Sequence, residues 1–399
     1  MSAVDELTAT TALPIEVAAP NITRWQSGSG SLVPVDFVHD FSSALPGPDV
    51  LVTALVHGNE YSGAIAVDGL LASSWQPTHG RVTFAFCNVA AFAQFDAAQP
   101  DAARFVDEDF NRVWSDARLE STKPATAPTT EVSRARELLP FVARATHLLD
   151  LHSMHEIAPP LLVTGTLQRN IDFAQALQTA SQVIIDNGHA DGVRMRDYGP
   201  FAEPNNQRIA LLLEAGQHWQ ASSVAVARNT LVRFLIAAGS LSLNEAQASM
   251  PHGWLLADTA PPAPVQVTDR VVAQSMDFAF THAFMGGKVI DKAGTVIARD
   301  AGHDVRVGRD CGQAFELTYD IVLVAMGARI AWLKTAKYLH IPAQPHYRYA
   351  YSQLPHRRHD QHAIVIRRDH GLACVVSDHG ACFGDHFAAR ERLCESKIQ

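Results

Sequence analysis

The sequence predicts an α/β protein with a mostly parallel mixed sheet and helices on both faces, a small β-rich domain and a C-terminal extension. Apolar runs of strand length alternate with amphipathic segments of helix length between residues 50 and 240. The runs are continuous rather than alternating, as in strands that are buried on both faces. Short runs separated by Gly turns follow after residue 250. The predicted divisions are 1–245, of which 1–48 is a leader, then 250–330 and 331–399.

The individual elements of the first division follow from the length and period of each run. Apolar runs predict strands, and helical spacing of apolar residues predicts helices. A serine before an apolar segment favours a helix start at residue 62. The predicted strands are 50–56, 81–87, 146–151, 183–185 and 209–213, and the predicted helices are 62–73, 130–144, 171–180 and 222–238.

Three of the predicted strands end in potential metal ligands. The first is followed by His57 and Glu60 within the tetrapeptide HGNE, another by His152, and the last by Glu214. One polar residue at a strand end is ordinarily without function, but three at the same sheet edge favour a site, because α/β proteins bind ligands beyond the carboxyl ends of their strands. A catalytic zinc usually takes three protein ligands and keeps one position open.

Two arginines flank an acidic patch in the segment between the second and third predicted strands. Asp107, Glu108 and Asp109 are interpreted as a solvated charge cluster. Arg104 and Arg112 are different, since the planar guanidinium group fits a carboxylate or a developing oxyanion.

Composition excludes several classes of function. The net charge of −9 gives no reason to expect nucleic acid or an anionic membrane surface as a partner. Five scattered cysteines argue against a disulfide framework and fit the reducing cytoplasm. The N-terminus lacks the basic and apolar regions of a signal peptide, and the apolar run 321–326 is too short to span a bilayer. The histidine-rich tail lacks the C-x2-C spacing of a structural zinc site, so a second metal site is not favoured.

The order of HGNE, R-x6-N-R, DLHS and EAG resembles the succinylglutamate desuccinylase/aspartoacylase family of the zinc carboxypeptidase superfamily. The likeness covers about residues 50–239 and implies a zinc carboxypeptidase-like fold. It departs at Asn88-Val89, where the family usually has Asn-Pro, and at Phe110, where it has Leu. The resemblance implies one Zn²⁺ per chain, held by His57, Glu60 and His152.

The resemblance also implies roles for four further residues. Glu214 is the counterpart of the general base, and Arg104 that of the arginine that polarises the scissile carbonyl. Asn111 and Arg112 correspond to the pair that binds a substrate carboxylate. Arg208, six residues before Glu214, is a candidate for a second carboxylate contact.

The function expected from these residues is zinc-dependent removal of an acyl group from an N-acyl amino acid or a related small amide. No nucleic-acid or membrane partner is expected, and assembly into a homo-oligomer stays open. One alternative is a metallocarboxypeptidase, which uses the same residue types; a β-rich domain over the mouth of the site favours small amides instead. Another is a zinc-binding module without activity, which the presence of Glu214 disfavours.

Overall fold

The structure, a computed structural model, describes residues 14–306 with gaps, and the strands 321–325 and 363–367. The gaps are 31–33, 121–126, 156, 189–191, 263, 268–274, 276–277, 283–287 and 290–293. The histidine-rich tail lies outside the described residues, apart from the strand at 363–367.

The described chain forms fourteen strands and seven α-helices. The strands are β1 (Val38–Ser42), β2 (Asp49–Ala54), β3 (Arg81–Phe86), β4 (His147–Met154), β5 (Leu161–Val163), β6 (Gln182–Ile185), β7 (Ile209–Gln217), β8 (Pro264–Gln266), β9 (Ala279–Phe280), β10 (Lys288–Val289), β11 (Val296–Asp300), β12 (His303–Arg306), β13 (Ile321–Ala325) and β14 (Ala363–Arg367). The helices are α1 (Ser62–Ala72), α2 (Val89–Phe92), α3 (Asp116–Leu119), α4 (Thr130–Arg144), α5 (Gln168–Leu177), α6 (Ala221–Ala238) and α7 (Leu243–Ser249).

The main sheet is mixed, with a parallel centre. Its strand order is β1-β3-β2-β4-β7-β5-β6-β8-β14-β13-β10. Strands β3, β2, β4 and β7 run parallel, β1 lies antiparallel on the edge, and β5 is antiparallel to β7. Strands β9, β11 and β12 form a separate antiparallel sheet. The predicted fold class is confirmed.

Helices cover both faces of the central strands. Val50 and Val52 of β2 pack in one buried cluster with residues of α1 and α6, whereas Leu51 packs in a second cluster with residues of α4. Each fully buried aliphatic side chain of this kind contributes roughly 1.5–3 kcal/mol. The continuous apolar runs therefore reflect strands that are buried from two sides.

Two strands are longer than the sequence predicted, and this matters for the site. The apolar runs stop at Leu151 and Leu213, but β4 continues to Met154 and β7 to Gln217. His152 and Glu214 therefore lie inside strands rather than after them. The pairing continues because backbone hydrogen bonds, not apolar side chains, define a strand.

The main sheet includes strands from the predicted leader and from the segment after residue 250. Strand β1 joins the sheet edge, so the end of the predicted leader belongs to the sheet. Strand β8 pairs with β6, so the main sheet extends past residue 250. The division into domains remains a prediction.

Helix α6 is long and apolar enough to cross a membrane by length and composition alone, the one such helix among the described residues. Half of it is buried, and its residues Leu231, Val232 and Leu235 belong to the core cluster. A core helix of a folded domain has the same properties.

Candidate metal centre

The HGNE segment turns sharply out of the sheet. Strand β2 ends because Leu55 takes a left-handed backbone conformation, with φ of 57°. His57 and Glu60 follow on the turn and are buried. The turn also lies very close to the next segment, since a Cβ on Gly58 would come within 2.3 Å of the carbonyl oxygen of Ala103.

His57, Glu60 and His152 come together at the carboxyl edge of the sheet. The Nδ1 atom of His57 lies 2.7 Å from Oε1 of Glu60, and Nδ1 of His152 lies 3.0 Å from the other oxygen, Oε2. The three candidate ligand atoms all lie within 4.8 Å of one another. The predicted ligands therefore form a compact group that could hold a metal ion.

Each histidine contacts Glu60 through Nδ1 and a second carboxylate through its other ring nitrogen, Nε2. Oδ1 of Asp109 is 2.9 Å from Nε2 of His57, and Oδ2 of Asp150 is 2.9 Å from Nε2 of His152. With a metal ion bound, a proton on Nε2 would be donated to these carboxylates, and the Nδ1 lone pair would be available to the metal. Metal-binding histidines are usually oriented in this way. Thr53 in turn donates to Oδ1 of Asp150 at 2.7 Å.

This donor set fits zinc. Two imidazole nitrogens and a carboxylate are typical ligands of a catalytic zinc, with bonds of about 2.0–2.2 Å. Tetrahedral ligands at such distances are separated by about 3.4 Å, which the observed grouping allows. The carboxylates on both remote nitrogens complete the pattern.

The electrostatics of the group follow from burial opposed by close charges. Burial favours the neutral form of Asp109, but Arg104 and His57 hold the pKa of its carboxyl well below the usual range. Burial also favours neutral His152, but Asp150 and Glu60 outweigh it and raise the pKa of His152 to about 10. The carboxylates of Glu60 and Asp150 thus favour a positive charge at His152, which a proton supplies when no metal ion is bound.

Arg104 contacts the metal-ligand group directly. Its Nη1 atom donates to Oε1 of Glu60 at 3.2 Å, and its Nη2 atom donates to Oδ2 of Asp109 at 2.7 Å. Nη2 also lies 2.9 Å from Nε2 of His57. The guanidinium is buried among these groups, with Arg104 only 3% exposed. A fixed cationic donor therefore stands beside the candidate metal position.

Glu214 occupies the strand next to that of His152. The two residues are paired in register across β4 and β7, so their side chains leave the same face of the sheet. Glu214 is buried. Its carboxylate is thus enclosed on the side of the sheet that carries His152.

Asn111 and Arg112 follow Asp109 on a short 3₁₀-helix. The amide oxygen of Asn111 accepts a hydrogen bond from the backbone N–H of Met195 at 2.9 Å. Nη1 of Arg112 donates to the backbone oxygen of Asn111 at 2.7 Å. Both residues thus belong to the segment that carries Asp109.

Arg208 is not brought to this site. It directly precedes β7, at the strand end where Ile209 pairs with His147, and its Nη1 atom donates to the carbonyl oxygen of Ala143 at 2.6 Å. Six residues of extended chain separate it from Glu214, about 20 Å at the rise of a strand. Arg208 therefore lies at the end of β7 that is remote from Glu214, and not where the sequence led us to expect it.

The acidic patch is only partly the solvated cluster that the sequence suggested, since Asp107 is exposed, Glu108 is half-buried and Asp109 is buried. Asp109 is buried and orients His57, while Asp107 accepts from the backbone N–H of Thr130 at 2.8 Å. Glu108 accepts from the hydroxyl of Thr129 at 2.6 Å. Asp109 lies two residues before Asn111, and this position was the sole sequence signal for it. Its partner His57 is 52 residues away in the sequence.

The fold and the site define an α/β protein with a candidate metal centre at the carboxyl edge of its central strands. Residues 46–235 match the sequence model of the succinylglutamate desuccinylase/aspartoacylase catalytic domain. This segment therefore belongs to the succinylglutamate desuccinylase/aspartoacylase family, as the motifs predicted. The named members of that family are deacylases, which supports the interpretation that this protein is a hydrolase.

Three solved structures are similar to this chain, and two of them carry the same family name. One is a protein from Shewanella frigidimarina assigned as succinylglutamate desuccinylase/aspartoacylase, 17% identical, with a TM-score of 0.50 over 72% of this chain and 87% of that chain. Another is succinylglutamate desuccinylase/aspartoacylase from Rhodobacter sphaeroides, 17% identical, with a TM-score of 0.47 over 68% and 80%. A third is the product-bound ectoine utilization protein EutE (DoeB) from Ruegeria pomeroyi, 17% identical, with a TM-score of 0.46 over 68% and 81%. No curated protein matches the chain in sequence.

Proposed function

We propose that this protein is a zinc-dependent amidohydrolase that removes the acyl group from an N-acyl amino acid or a related small amide. The observation that carries the proposal is the convergence of His57, Glu60 and His152, with a carboxylate behind each histidine. Deacylation, rather than another hydrolysis, is supported by the family of residues 46–235.

The metal would be held by His57, Glu60 and His152, one ion per chain. When bound, it supplies a Lewis acid that polarises an acyl oxygen and makes a water molecule more acidic. His57 and His152 are fixed by Asp109 and Asp150 through their Nε2 protons, so their Nδ1 atoms stay directed to the centre.

Glu214 is proposed as the general base and acid. Its carboxylate takes a proton from the water that attacks the amide carbon, and delivers that proton to the amide nitrogen as the C–N bond breaks. The products are a carboxylic acid and an amine, which at neutral pH exist as a carboxylate and an ammonium ion, so atoms, charge and protons balance. Positioned proton transfer of this kind typically contributes about 10²–10⁴-fold.

Arg104 is proposed to stabilise the oxyanion that forms when the carbonyl carbon becomes tetrahedral. Its buried guanidinium lies next to the ligands, where the low dielectric strengthens its interaction with a developing negative charge. Glu60 and Asp109 already fix its orientation, so little reorganisation is needed during reaction.

Arg112, with Asn111, is proposed to bind a carboxylate of the substrate. A guanidinium binds a carboxylate through two parallel hydrogen bonds, which orients the neighbouring amide. This role makes N-acyl amino acids the preferred substrate class.

The test is hydrolysis of a panel of N-acetyl, N-succinyl and N-formyl amino acids by the zinc-loaded protein. We expect release of free amino acid from at least one class, loss of release after chelation, and recovery when zinc is returned. Release of C-terminal residues from peptides, with no cleavage of N-acyl amino acids, would instead identify a carboxypeptidase. No hydrolysis of either kind would contradict the proposal.

A further inference from the structure

We propose that Glu131 is a positioning residue for the candidate metal centre. It lies in the first turn of α4 and is fully buried. Its carboxylate holds the segment 104–109, named here the arginine loop, which carries Arg104 and Asp109. The kinetic part of this inference rests on the proposed function, whereas its metal-binding part does not.

The carboxylate of Glu131 accepts hydrogen bonds from three consecutive backbone N–H groups of the arginine loop. Oε1 accepts from Val106 at 2.7 Å, and Oε2 accepts from Asp107 at 3.1 Å and from Glu108 at 3.3 Å. Consecutive N–H groups that converge on one anion form a concave anion-binding site. The side-chain amide of Asn88, at the end of β3, donates to Oε1 as well, at 3.0 Å.

The arginine loop binds the start of α4 in return. The carboxylate of Asp107 accepts from the backbone N–H of Thr130, and that of Glu108 accepts from the hydroxyl of Thr129. Thr129 itself accepts from the N–H of Val132 and so caps the helix. The contact between loop and helix is thus reciprocal, and Glu131 is its buried centre.

Both ends of the arginine loop contact His57. Asp109 lies 2.9 Å from Nε2 of His57, and Nη2 of Arg104 lies 2.9 Å from the same atom. Glu131 fixes the backbone between these two ends through the N–H groups of Val106, Asp107 and Glu108. A shift of the loop would move the partner of a metal ligand and the buried cation together, and displacements near 1 Å can cost about 10²-fold in rate.

Burial raises the pKa of Glu131, and the N–H of Val106 and the amide of Asn88 oppose that shift by stabilising the charged form. The geometry of three backbone donors indicates that an anionic acceptor is needed. Glu131→Gln keeps the size of the side chain but places an amide N–H₂ against backbone N–H groups. It is therefore the variant of choice.

The matched control is Asp40→Asn. Asp40 is also a buried carboxylate that accepts several hydrogen bonds, from Thr83, Arg81 and Arg144, but the last of these lies at the opposite end of α4. Its loss removes a comparable network without touching the arginine loop. Thermal unfolding of both variants shows whether they remain folded at the assay temperature.

The first measurement is zinc affinity by competition with a chelator, which needs no substrate. We expect Glu131→Gln to raise the zinc dissociation constant about tenfold or more, the range seen when outer partners of metal ligands are lost. Asp40→Asn should change the zinc dissociation constant less than about twofold. This is smaller than the change expected when a residue that contacts a metal ligand is lost. Unchanged affinity in Glu131→Gln, or equal weakening in both variants, would overturn the proposal. If Glu131→Gln does not fold, Glu131→Asp serves, since it keeps the charge but cannot reach all three N–H groups.

The second measurement is kinetic and uses zinc-saturated protein. Glu131→Gln should lower kcat and leave KM nearly unchanged, because Arg104 acts on the transition state. In the double variant with Arg104→Ala, the loss of kcat should be smaller than the product of the two single losses, since Glu131 acts partly through Arg104. Multiplied losses would contradict the inference. Absence of hydrolysis in the wild type would refute the proposed function but leave the affinity result valid.

Discussion

Oδ1 of Asp109 lies 2.9 Å from Nε2 of His57, and both side chains are buried. This contact fixes the imidazole so that its Nδ1 atom faces Glu60, 2.7 Å away. Asp109 also receives Arg104 on its other oxygen and the backbone N–H of Asn111 on the first. One carboxylate therefore links a candidate metal ligand, a buried cation and the start of the candidate substrate-binding pair.

Asp109→Asn is expected to weaken zinc binding about 10–100-fold, the usual cost of losing an outer partner of a ligand. The amide is neutral and favours the wrong tautomer of His57 when its N–H₂ group faces the ring. Chelator competition measures the effect. Asp40→Asn is the control, because Asp40 is a buried carboxylate that accepts from Thr83, Arg81 and Arg144 rather than from a ligand. Equal affinities for the two variants would contradict this role of Asp109.

His152→Ala is expected to abolish stoichiometric zinc binding, because the site would keep two of its three protein ligands. Metal analysis of the purified variant measures the zinc content per chain. His155→Ala is the control: His155 follows β4 and is paired with Asp101 at 3.2 Å, outside the ligand group. Full zinc retention by His152→Ala would remove His152 from the ligand set.

Arg112→Ala is expected to raise KM about 10–100-fold with a smaller effect on kcat, since a hydrogen bond to a charged group contributes about 1.5–3 kcal/mol. Amidation of the substrate carboxylate should weaken turnover by the wild type but barely affect the variant. Steady-state kinetics on the paired substrates provide the comparison. If the wild type cleaves the neutral amide as well as the carboxylate, Arg112 does not bind that carboxylate.

Arg104→Ala is expected to have the opposite kinetic effect to Arg112→Ala. Its kcat should fall by about 10²–10³-fold, whereas KM should stay nearly unchanged. The oxyanion exists only after attack, so its stabilisation is absent from substrate binding. The kinetics are measured on zinc-saturated protein, because Arg104 also contacts Glu60. A rise in KM without a fall in kcat would argue against this role.

The sequence predicted the parts of the fold that depend on local patterns. Helix α4 occupies 130–144 as expected, because its period and its cap are properties of neighbouring residues. The ends of β4 and β7 were missed because polar residues interrupt the apolar runs although the strands continue. His152 and Glu214 were still identified, since the end of the apolar run marks the carboxyl edge of the sheet.

The remaining contacts of the site depend on tertiary structure, and local patterns do not contain them. Asp109 meets His57 across 52 residues, and Glu131 meets Val106 across 25. Short sequence separation also misled the prediction for Arg208, because a strand carries its two ends apart. Residue type and spacing thus indicated the candidate ligands, but not Asp109, the carboxylate that contacts His57.

The most direct test of the account is Glu214→Gln, measured as zinc content and as kcat on the best N-acyl amino acid. Glu214 pairs with His152 across the strands but is not among the three grouped ligands. We therefore expect one zinc per chain to be retained and kcat to fall by about 10²–10⁴-fold, the contribution of a general base. A variant that keeps its zinc and more than about a tenth of the wild-type kcat would contradict the proposed mechanism.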